Sequence, residues 1–154
     1  MYGAALVLAI ALTAFSASAQ APAAIAGVWQ VTEVTAAGTT RQSQPGVYIF
    51  TRKHYSMVWV SADKPRPMLD DATATADELR AAYLPFMAQS GTYTSTADTI
   101  TATPVAAKHP INMDPRAFGI YKFKLEGDTL TLTLAETPFG QVKNQPTLKL
   151  KRVE

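Results

Sequence analysis

Apolar and polar residues alternate with a period of two along most of this chain. The pattern is clearest in residues 118–135, FGIYKFKLEGDTLTLTLA, where Tyr121, Phe123 and Leu125 alternate with polar residues before a Gly-Asp turn. Leucines then alternate with threonines beyond the turn. Because successive side chains of a strand point to opposite faces, this segment predicts a β-hairpin with one buried and one solvated face.

Other segments share this strand-like pattern, at residues 29–34, 46–51, 54–60, 91–96, 98–103 and 147–153. GTYTST and DTITAT are separated by a polar turn at residues 97–98 and predict a second hairpin. GVYIFT is largely apolar on both faces, so the sequence leaves open which of its faces points inward. The chain therefore has about eight predicted strands.

One segment, TADELRAAYLPFMAQ at residues 75–89, follows a helical period instead. Thr75 and Glu78 have the spacing of a capping box. Four apolar residues fall on one helical face: Leu79, Tyr83, Phe86 and Met87. Pro85 is expected to end or kink the helix near Leu84. We predict a short helix between the third and fourth predicted strands, which either gates one end of the core or merely covers it.

The predicted fold class is mainly β, an antiparallel eight-stranded barrel with one short inserted helix. Closure is favoured because it removes exposed strand edges. We expect the first and last strands to pair, so that Trp29 lies against Arg152 in a cation–π contact worth ~0.5–2 kcal/mol. In the alternative, Trp29 is an ordinary core residue and Arg152 is solvated.

Composition excludes several classes of function. The 154-residue chain is long enough for one domain with an apolar core, and it has no cysteine. Disulfides and thiolate metal sites are therefore excluded. The net charge is +2, with no basic run longer than a pair. We expect no nucleic-acid partner, no metal and no cofactor.

The first nineteen residues differ from the rest. An apolar run from Ala4 to Phe15 precedes Ala17-Ser18-Ala19, which fits the cleavage pattern of a secretory signal peptide. The run is shorter than the ~20 apolar residues that span a bilayer. We predict a signal peptide at residues 1–19, a barrel domain at residues 24–154, a periplasmic or extracellular location, and no stable membrane span after cleavage. The alternative is an apolar helix that packs on the domain.

Several segments resemble a known family. Gly27-Val28-Trp29 in the first strand, with Arg152 late in the last, resembles the lipocalin and wider calycin pattern. The ordered series PGVYIFTRKHYSMVWV, DKPRP and SGTYTSTADTITATPVAAKHP looks like bacterial secreted proteins with a lipocalin-like domain. The resemblance implies a barrel closed by Gly27, Trp29 and Arg152, with an internal cavity that binds a small apolar or amphipathic molecule. Unlike true lipocalins, the chain is short, lacks a disulfide and carries its helix in mid-barrel.

Aromatic strand residues are the candidate ligand contacts. A small barrel either fills its interior with such side chains or uses them to line a cavity, and composition does not decide between these. Buried tyrosine hydroxyls favour a cavity slightly, because water and ligand can satisfy them. The predicted contacts are Tyr48, Phe50, Tyr55, Met57, Trp59, Tyr93, Tyr121 and Phe123.

Catalysis has weaker support. Neither histidine has a metal-ligand partner at useful spacing, and no nucleophile-elbow, phosphate-loop or dinucleotide motif is present. His109, Asp114 and Arg116 could form an acid/base pair with an oxyanion partner if the barrel mouth gathers them. We therefore expect a binding protein. A small-molecule isomerase or hydrolase and a solid-core interaction module of the cell envelope are the alternatives.

Overall fold

The computed structural model describes residues 24–70 and 72–154, and the predicted signal peptide at residues 1–19 lies outside them. The strands are β1 (Gly27–Ala36), β2 (Thr39–Gln42), β3 (Val47–Phe50), β4 (His54–Val60), β5 (Phe86–Ser95), β6 (Thr99–Ala107), β7 (Gly119–Glu126), β8 (Thr129–Thr137), β9 (Gly140–Gln141) and β10 (Thr147–Arg152). Helix α1 covers Ala76–Tyr83, and a 3-10 turn covers Pro110–Met113.

Eight strands form a closed antiparallel barrel, which confirms the predicted fold class. Their order around the barrel is β1, β3, β4, β5, β6, β7, β8 and β10, and β10 pairs with both β8 and β1. The short strands β2 and β9, which the sequence pattern did not predict, pair with the far ends of β1 and β8. Every barrel strand therefore has a partner on both sides.

The alternation of leucine with polar residues places a layer of leucines in the core. Leu130 and Leu132 of β8 are buried, whereas the threonines that alternate with them are only partly covered. Leu150 and Leu148 of β10 lie directly opposite them in the antiparallel register. These four side chains are at most 6 % exposed, so this side of the barrel contributes a continuous apolar surface to the interior.

Strand β3, whose orientation the sequence left open, turns its aromatic face inward. Tyr48 and Phe50 are buried and stack with their ring centroids 6.0 Å apart. Val47 and Ile49, which alternate with them, are each 40 % exposed. The larger aromatic side chains bury more apolar surface than the two aliphatic residues would, which accounts for this choice of face.

The first and last strands close the barrel around Trp29. This residue is fully buried and lies opposite Arg152 in the register of β1 and β10. The Arg152 guanidinium carbon is 4.1 Å from the centroid of the indole ring. Its two terminal nitrogens donate to the carbonyl oxygens of Ala26 and Ala24, both at 2.7 Å. Arg152 thereby covers the indole and also holds the segment that precedes β1.

Gly27 lies where the two chain ends come closest. Its φ of +138° is a conformation that side chains with a Cβ rarely adopt. A Cβ at this position would also overlap the carbonyl oxygen of Glu154 and come within 2.6 Å of Arg152 Nη1. Glycine is therefore required here on both steric and conformational grounds.

Helix α1 begins with the predicted capping box. The backbone N–H of Glu78 donates to Thr75 Oγ1 at 3.3 Å, and the backbone N–H of Thr75 donates to Glu78 Oε2 at 2.9 Å. None of the side chains of the helix is buried. Tertiary packing therefore adds little to its stability, and local capping carries more weight than in an ordinary core helix.

The predicted apolar face of this helix was partly wrong. Phe86 and Met87 begin β5, where they pair with Val60 and Trp59 of β4. Pro85 explains the difference, because it has no N–H to donate to the preceding helical turn, so the helix ends with Leu84 as its C-cap. Only Leu79 and Tyr83 of the predicted set belong to the helix.

The two ends of the barrel differ in their connections. Tight turns at residues 51–53, 96–98 and 127–128 lie at the end that Trp29 and Arg152 close, here called the sealed end. The long connections at residues 61–85 and 108–118 lie at the opposite end, here called the helix end. Within the described ranges, no helix is long and apolar enough to cross a membrane.

Candidate functional site

The cavity that described core residues enclose inside the barrel is very small. It has a volume of about 10 Å³, which is close to the space that a single water molecule needs. The residues that line it are Tyr48, Phe50, Tyr55, Met57, Ile100, Ala102, Tyr121 and Leu132. A ligand of several carbon atoms does not fit here unless these side chains move.

The predicted ligand contacts are brought together, but as packed core. Five of them line the small cavity: Tyr48, Phe50, Tyr55, Met57 and Tyr121. Tyr93 instead donates its hydroxyl to the carbonyl oxygen of Thr51 at 2.6 Å and meets the Phe50 ring edge-on at 5.4 Å. Trp59 and Phe123 are partly buried and pack against the core. The interior therefore stabilises the barrel and offers little room for a guest.

Burial raises the pKa of three tyrosines around the cavity. Burial raises the pKa of Tyr48 well above its usual value, and the neighbouring Tyr121 and Tyr55 raise it further. Burial raises the pKa of Tyr121 to about 12. Burial also raises the pKa of Tyr55, with a smaller contribution from Tyr121. All three phenols are therefore neutral at physiological pH and can donate hydrogen bonds.

A short chain of hydrogen bonds connects one of these phenols, that of Tyr55, to the helix end. Gln89 Nε2 donates to the Tyr55 hydroxyl at 3.0 Å, and Asn112 Nδ2 donates to Gln89 Oε1 at 3.2 Å. Asn112 belongs to the 3-10 turn. The polar part of the core therefore faces the helix end.

A much larger space lies between α1 and the residues that precede it. This groove, here called the helix-end groove, has a volume of about 920 Å³. Apolar side chains make up much of its lining, chiefly Met68, Leu69, Leu79, Tyr83 and Phe86. Arg66, Asp77 and Arg80 are its charged lining residues. An open groove with apolar walls and a few charges suits an amphipathic small molecule.

Lys108 fixes the wall of the groove that α1 forms. Its ammonium group donates to the carbonyl oxygens of Tyr83, Leu84 and Phe86, at 3.3 Å to Leu84 and 2.7 Å to Phe86. The same group lies 3.8 Å from the centroid of the Tyr83 ring, and the Tyr83 hydroxyl donates to the Lys108 carbonyl at 2.8 Å. A cation at this position satisfies the free carbonyls at the C-terminal end of the helix.

The opposite wall is tied to the barrel at two points. Arg41 forms an ion pair with Asp63 at 2.7 Å. Further along, the Arg66 guanidinium lies 4.6 Å from the centroid of the Phe86 ring. Between the walls, the backbone N–H of Ser61 donates to the Pro85 carbonyl at 2.7 Å and closes the base of the connection. Both walls of the groove are therefore held by contacts to the barrel or to its strand ends.

The predicted catalytic residues lie on either side of the 3-10 turn, with His109 before it and Asp114 and Arg116 after it. The His109 ring packs edge-on against Tyr83, with centroids 5.9 Å apart. Asp114 accepts hydrogen bonds from Arg116 Nε and Nη2, both at 2.9 Å. Hydrogen bonds from the Arg116 side chain and backbone lower the pKa of Asp114 to about 2, which makes its carboxylate a weak base. The contacts of the described residues do not join His109 to this pair.

Comparisons with known proteins add no family assignment. No model of a known protein family matches the chain, and no curated protein matches it. The closed eight-stranded barrel with one short helix is consistent with a calycin-like fold. In residues 24–70 and 72–154, no group of three or more histidine, aspartate and glutamate residues is arranged to hold a metal ion.

Several charged and apolar residues around α1 were not predicted from the sequence. Arg66, Met68 and Lys108 have no periodic pattern around them, so nothing in their own segments indicated a site. One signal was available, because Leu79 and Tyr83 form an apolar stripe on a helix as short as this one. Such a stripe requires a partner, and the nearby residues 64–69, KPRPML, combine basic and apolar character.

Proposed function

We propose that this protein is an exported, lipocalin-like barrel that binds a small hydrophobic or amphipathic molecule in the helix-end groove. The contrast in available space supports this choice of site. The groove offers about 920 Å³, whereas the barrel interior offers about 10 Å³. Small-molecule sites typically have volumes of about 300–1,000 Å³.

The exposed apolar side chains of the groove also support a ligand. Met68 is fully exposed, and Leu79 and Tyr83 are each exposed by more than a third of their surface. Exposed apolar patches with polar rims commonly mark binding sites. An apolar chain bound between the two walls would remove these side chains from water, at about 25 cal/mol for each Å² buried.

A neutral fluorescent probe, N-phenyl-1-naphthylamine, tests this assignment, since its emission rises in apolar surroundings. Leu79→Gln changes the groove, whereas Leu84→Gln changes an exposed leucine at the end of the same helix that does not line it. We expect L79Q to weaken probe binding about fivefold through lost apolar burial, and L84Q to bind as the wild type does.

An interior variant separates the two possible sites. Met57→Ala enlarges the cavity inside the barrel and leaves the groove unchanged. Unchanged probe binding in M57A is the expected result. If M57A alters binding while L79Q does not, the ligand occupies the interior, where the sequence placed its contacts. If the folded wild type binds no probe at all, the proposed binding function is wrong.

Export is a separate part of the proposal. Support comes from the apolar run and the Ala-Ser-Ala sequence within residues 1–19. Intact-mass measurement of the protein purified from the envelope fraction of its host tests it. A mature chain that begins near Gln20 is expected, and a chain that retains Met1 contradicts export by signal-peptide cleavage.

The filled interior favours a second candidate function, a solid-core interaction module of the cell envelope. A core without room for a guest contributes stability, and the surface then carries the function. This candidate predicts a folded wild-type protein that binds no apolar probe and whose α1 cross-links to an envelope protein. The small-molecule proposal predicts probe binding by the isolated protein.

A further inference from the structure

We propose that the occupant of the helix-end groove is an amphiphile with a single anionic head group, such as a medium-chain carboxylate, bound through Arg66 and Arg80. This inference rests on the proposed binding function of the groove and adds the chemical class of the ligand. The head group would lie between the two guanidinium groups, and the apolar chain would lie along the exposed side chains of the same groove.

Charge complementarity is the first argument. Of the three charged lining residues, Arg66 and Arg80 are positive and Asp77 is negative, so the lining carries a net charge of +1. Among the described residues, neither arginine lies within salt-bridge distance of a carboxylate. Three other arginines do have such partners, in the pairs Arg41 with Asp63, Arg116 with Asp114, and Arg152 with Asp128. One negative charge from a ligand would neutralise the groove.

The surroundings of Arg66 supply the second argument. Its guanidinium stacks on the Phe86 ring at 4.6 Å, which fixes its position and leaves its edge free to bind a carboxylate at two points. Lys108 lies nearby, and its pKa is lowered first by burial and then by the charge of Arg66. The Lys108 ammonium already donates hydrogen bonds to the carbonyls at the end of α1. Among the described residues that line the groove, Arg66 is therefore the cation available to a ligand on this side.

The apolar lining supplies the third argument. Met68, Leu69 and Leu79 belong to the same groove as the two arginines. A small inorganic anion would leave these side chains exposed, and a neutral hydrocarbon would leave the guanidinium groups without a partner. A molecule with both an apolar chain and an anionic head complements the apolar side chains and the two arginines together.

Three probes with the same ten-carbon chain test the head group by isothermal titration calorimetry: decanoate, 1-decanol and decyltrimethylammonium. Each is used below the concentration at which it aggregates. We expect decanoate to bind about tenfold more tightly than decanol at low salt, since a carboxylate gains charge-assisted hydrogen bonds. Decyltrimethylammonium is expected to bind most weakly. Added salt should reduce the advantage of decanoate.

Arginine variants locate the head group. Arg66→Gln and Arg80→Gln each remove one positive charge from the groove, whereas Arg52→Gln removes one from a tight turn at the sealed end. We expect R66Q and R80Q each to lower decanoate affinity by a larger factor than decanol affinity, so that the two probes bind more nearly equally. R52Q is expected to behave as the wild type. Circular dichroism of each variant checks that it is folded.

The outcomes separate this inference from the function on which it rests. If decanoate and decanol bind equally well, the anionic head group is wrong, although the groove still binds apolar molecules. If R52Q weakens decanoate as much as R80Q does, the effect reflects overall charge and the assignment of Arg66 and Arg80 is overturned. If none of the three probes binds the folded wild type, the proposed binding function fails as well.

Discussion

Replacing Arg152 by methionine tests how the first and last strands close the barrel. The change removes the guanidinium that lies 4.1 Å from the Trp29 ring. It also removes the donors to the carbonyl oxygens of Ala24 and Ala26. Methionine keeps a long apolar side chain over part of the indole, so the measured loss reflects mainly the charge and the hydrogen bonds.

The expected loss follows from these contacts. A cation–π contact contributes about 0.5–2 kcal/mol, and a hydrogen bond from a charged group contributes about 1.5–3 kcal/mol. The Arg152 side chain is 26 % exposed, so the lower end of each range applies. R152M is therefore expected to lower the free energy of unfolding by about 3 kcal/mol.

Urea unfolding followed by circular dichroism measures this loss. With a slope of about 1.5 kcal/mol per M, the midpoint should fall by about 2 M. Lys151→Met is the matched control, because it removes a positive charge from the adjacent exposed position of β10. K151M is expected to stay within about 0.5 kcal/mol of the wild type. Arg152→Lys keeps the charge but loses the planar fork, so it should fall between the two.

A loss in R152M no larger than that in K151M would refute this account of barrel closure. The Arg152 contacts would then be replaced by water at little cost. An equal loss in R152K and R152M would show instead that the fork geometry contributes all of the effect and the charge none.

Three further predictions concern the core and the groove. Gly91→Ala places a Cβ against the carbonyl oxygen of Thr103, so we expect a loss of about 1–3 kcal/mol in urea unfolding. The Tyr121 pKa is raised to about 12 from 10, so its contribution to stability is present below pH 10 and is lost as the pH rises toward 12. Between pH 9 and 11.5, the free energy of unfolding of Tyr121→Phe should therefore fall by up to about 2 kcal/mol less than that of the wild type. Equal falls in the two proteins would contradict this. Lys108→Met frees the C-terminal end of α1, so trypsin should cleave after Arg80 several-fold faster, and unchanged cleavage would show that other contacts hold the helix.

The sequence was most informative where one face of a strand is buried. The alternation of Leu130 and Leu132 with threonine can occur in a half-buried strand and in few other structures, so β7 and β8 were predicted together with their turn. Trp29 and Arg152 were expected to meet, because first and last strands of a closed barrel must pair, and they lie opposite each other. These features depend on local pattern and on closure, both of which a sequence records.

The size of the interior could not be predicted in this way. Whether Tyr48, Tyr55 and Tyr121 fill a barrel or line a chamber depends on ångström-scale positions of side chains that approach from different strands. The groove was equally hidden, because it depends on the path of residues 61–70, which have no repeating pattern. The end of α1 near Leu84 was predicted from Pro85. Phe86 and Met87 were wrongly assigned to the apolar face of the helix, because apolar residues at helical spacing continue beyond the proline.

The pairing of β1 with β10 determines when the chain can complete its folding. Thr32 on β1 donates to the carbonyl of Lys149 on β10, and these residues are 117 positions apart. Contacts of such long range form slowly, because the intervening chain must first become ordered. The hairpins β7–β8 and β5–β6 need only short loops, so we expect them to form before closure. Until β10 is in place, β1 and β8 each have a free edge that could pair with another chain. The six residues of β10 therefore protect the whole barrel against aggregation.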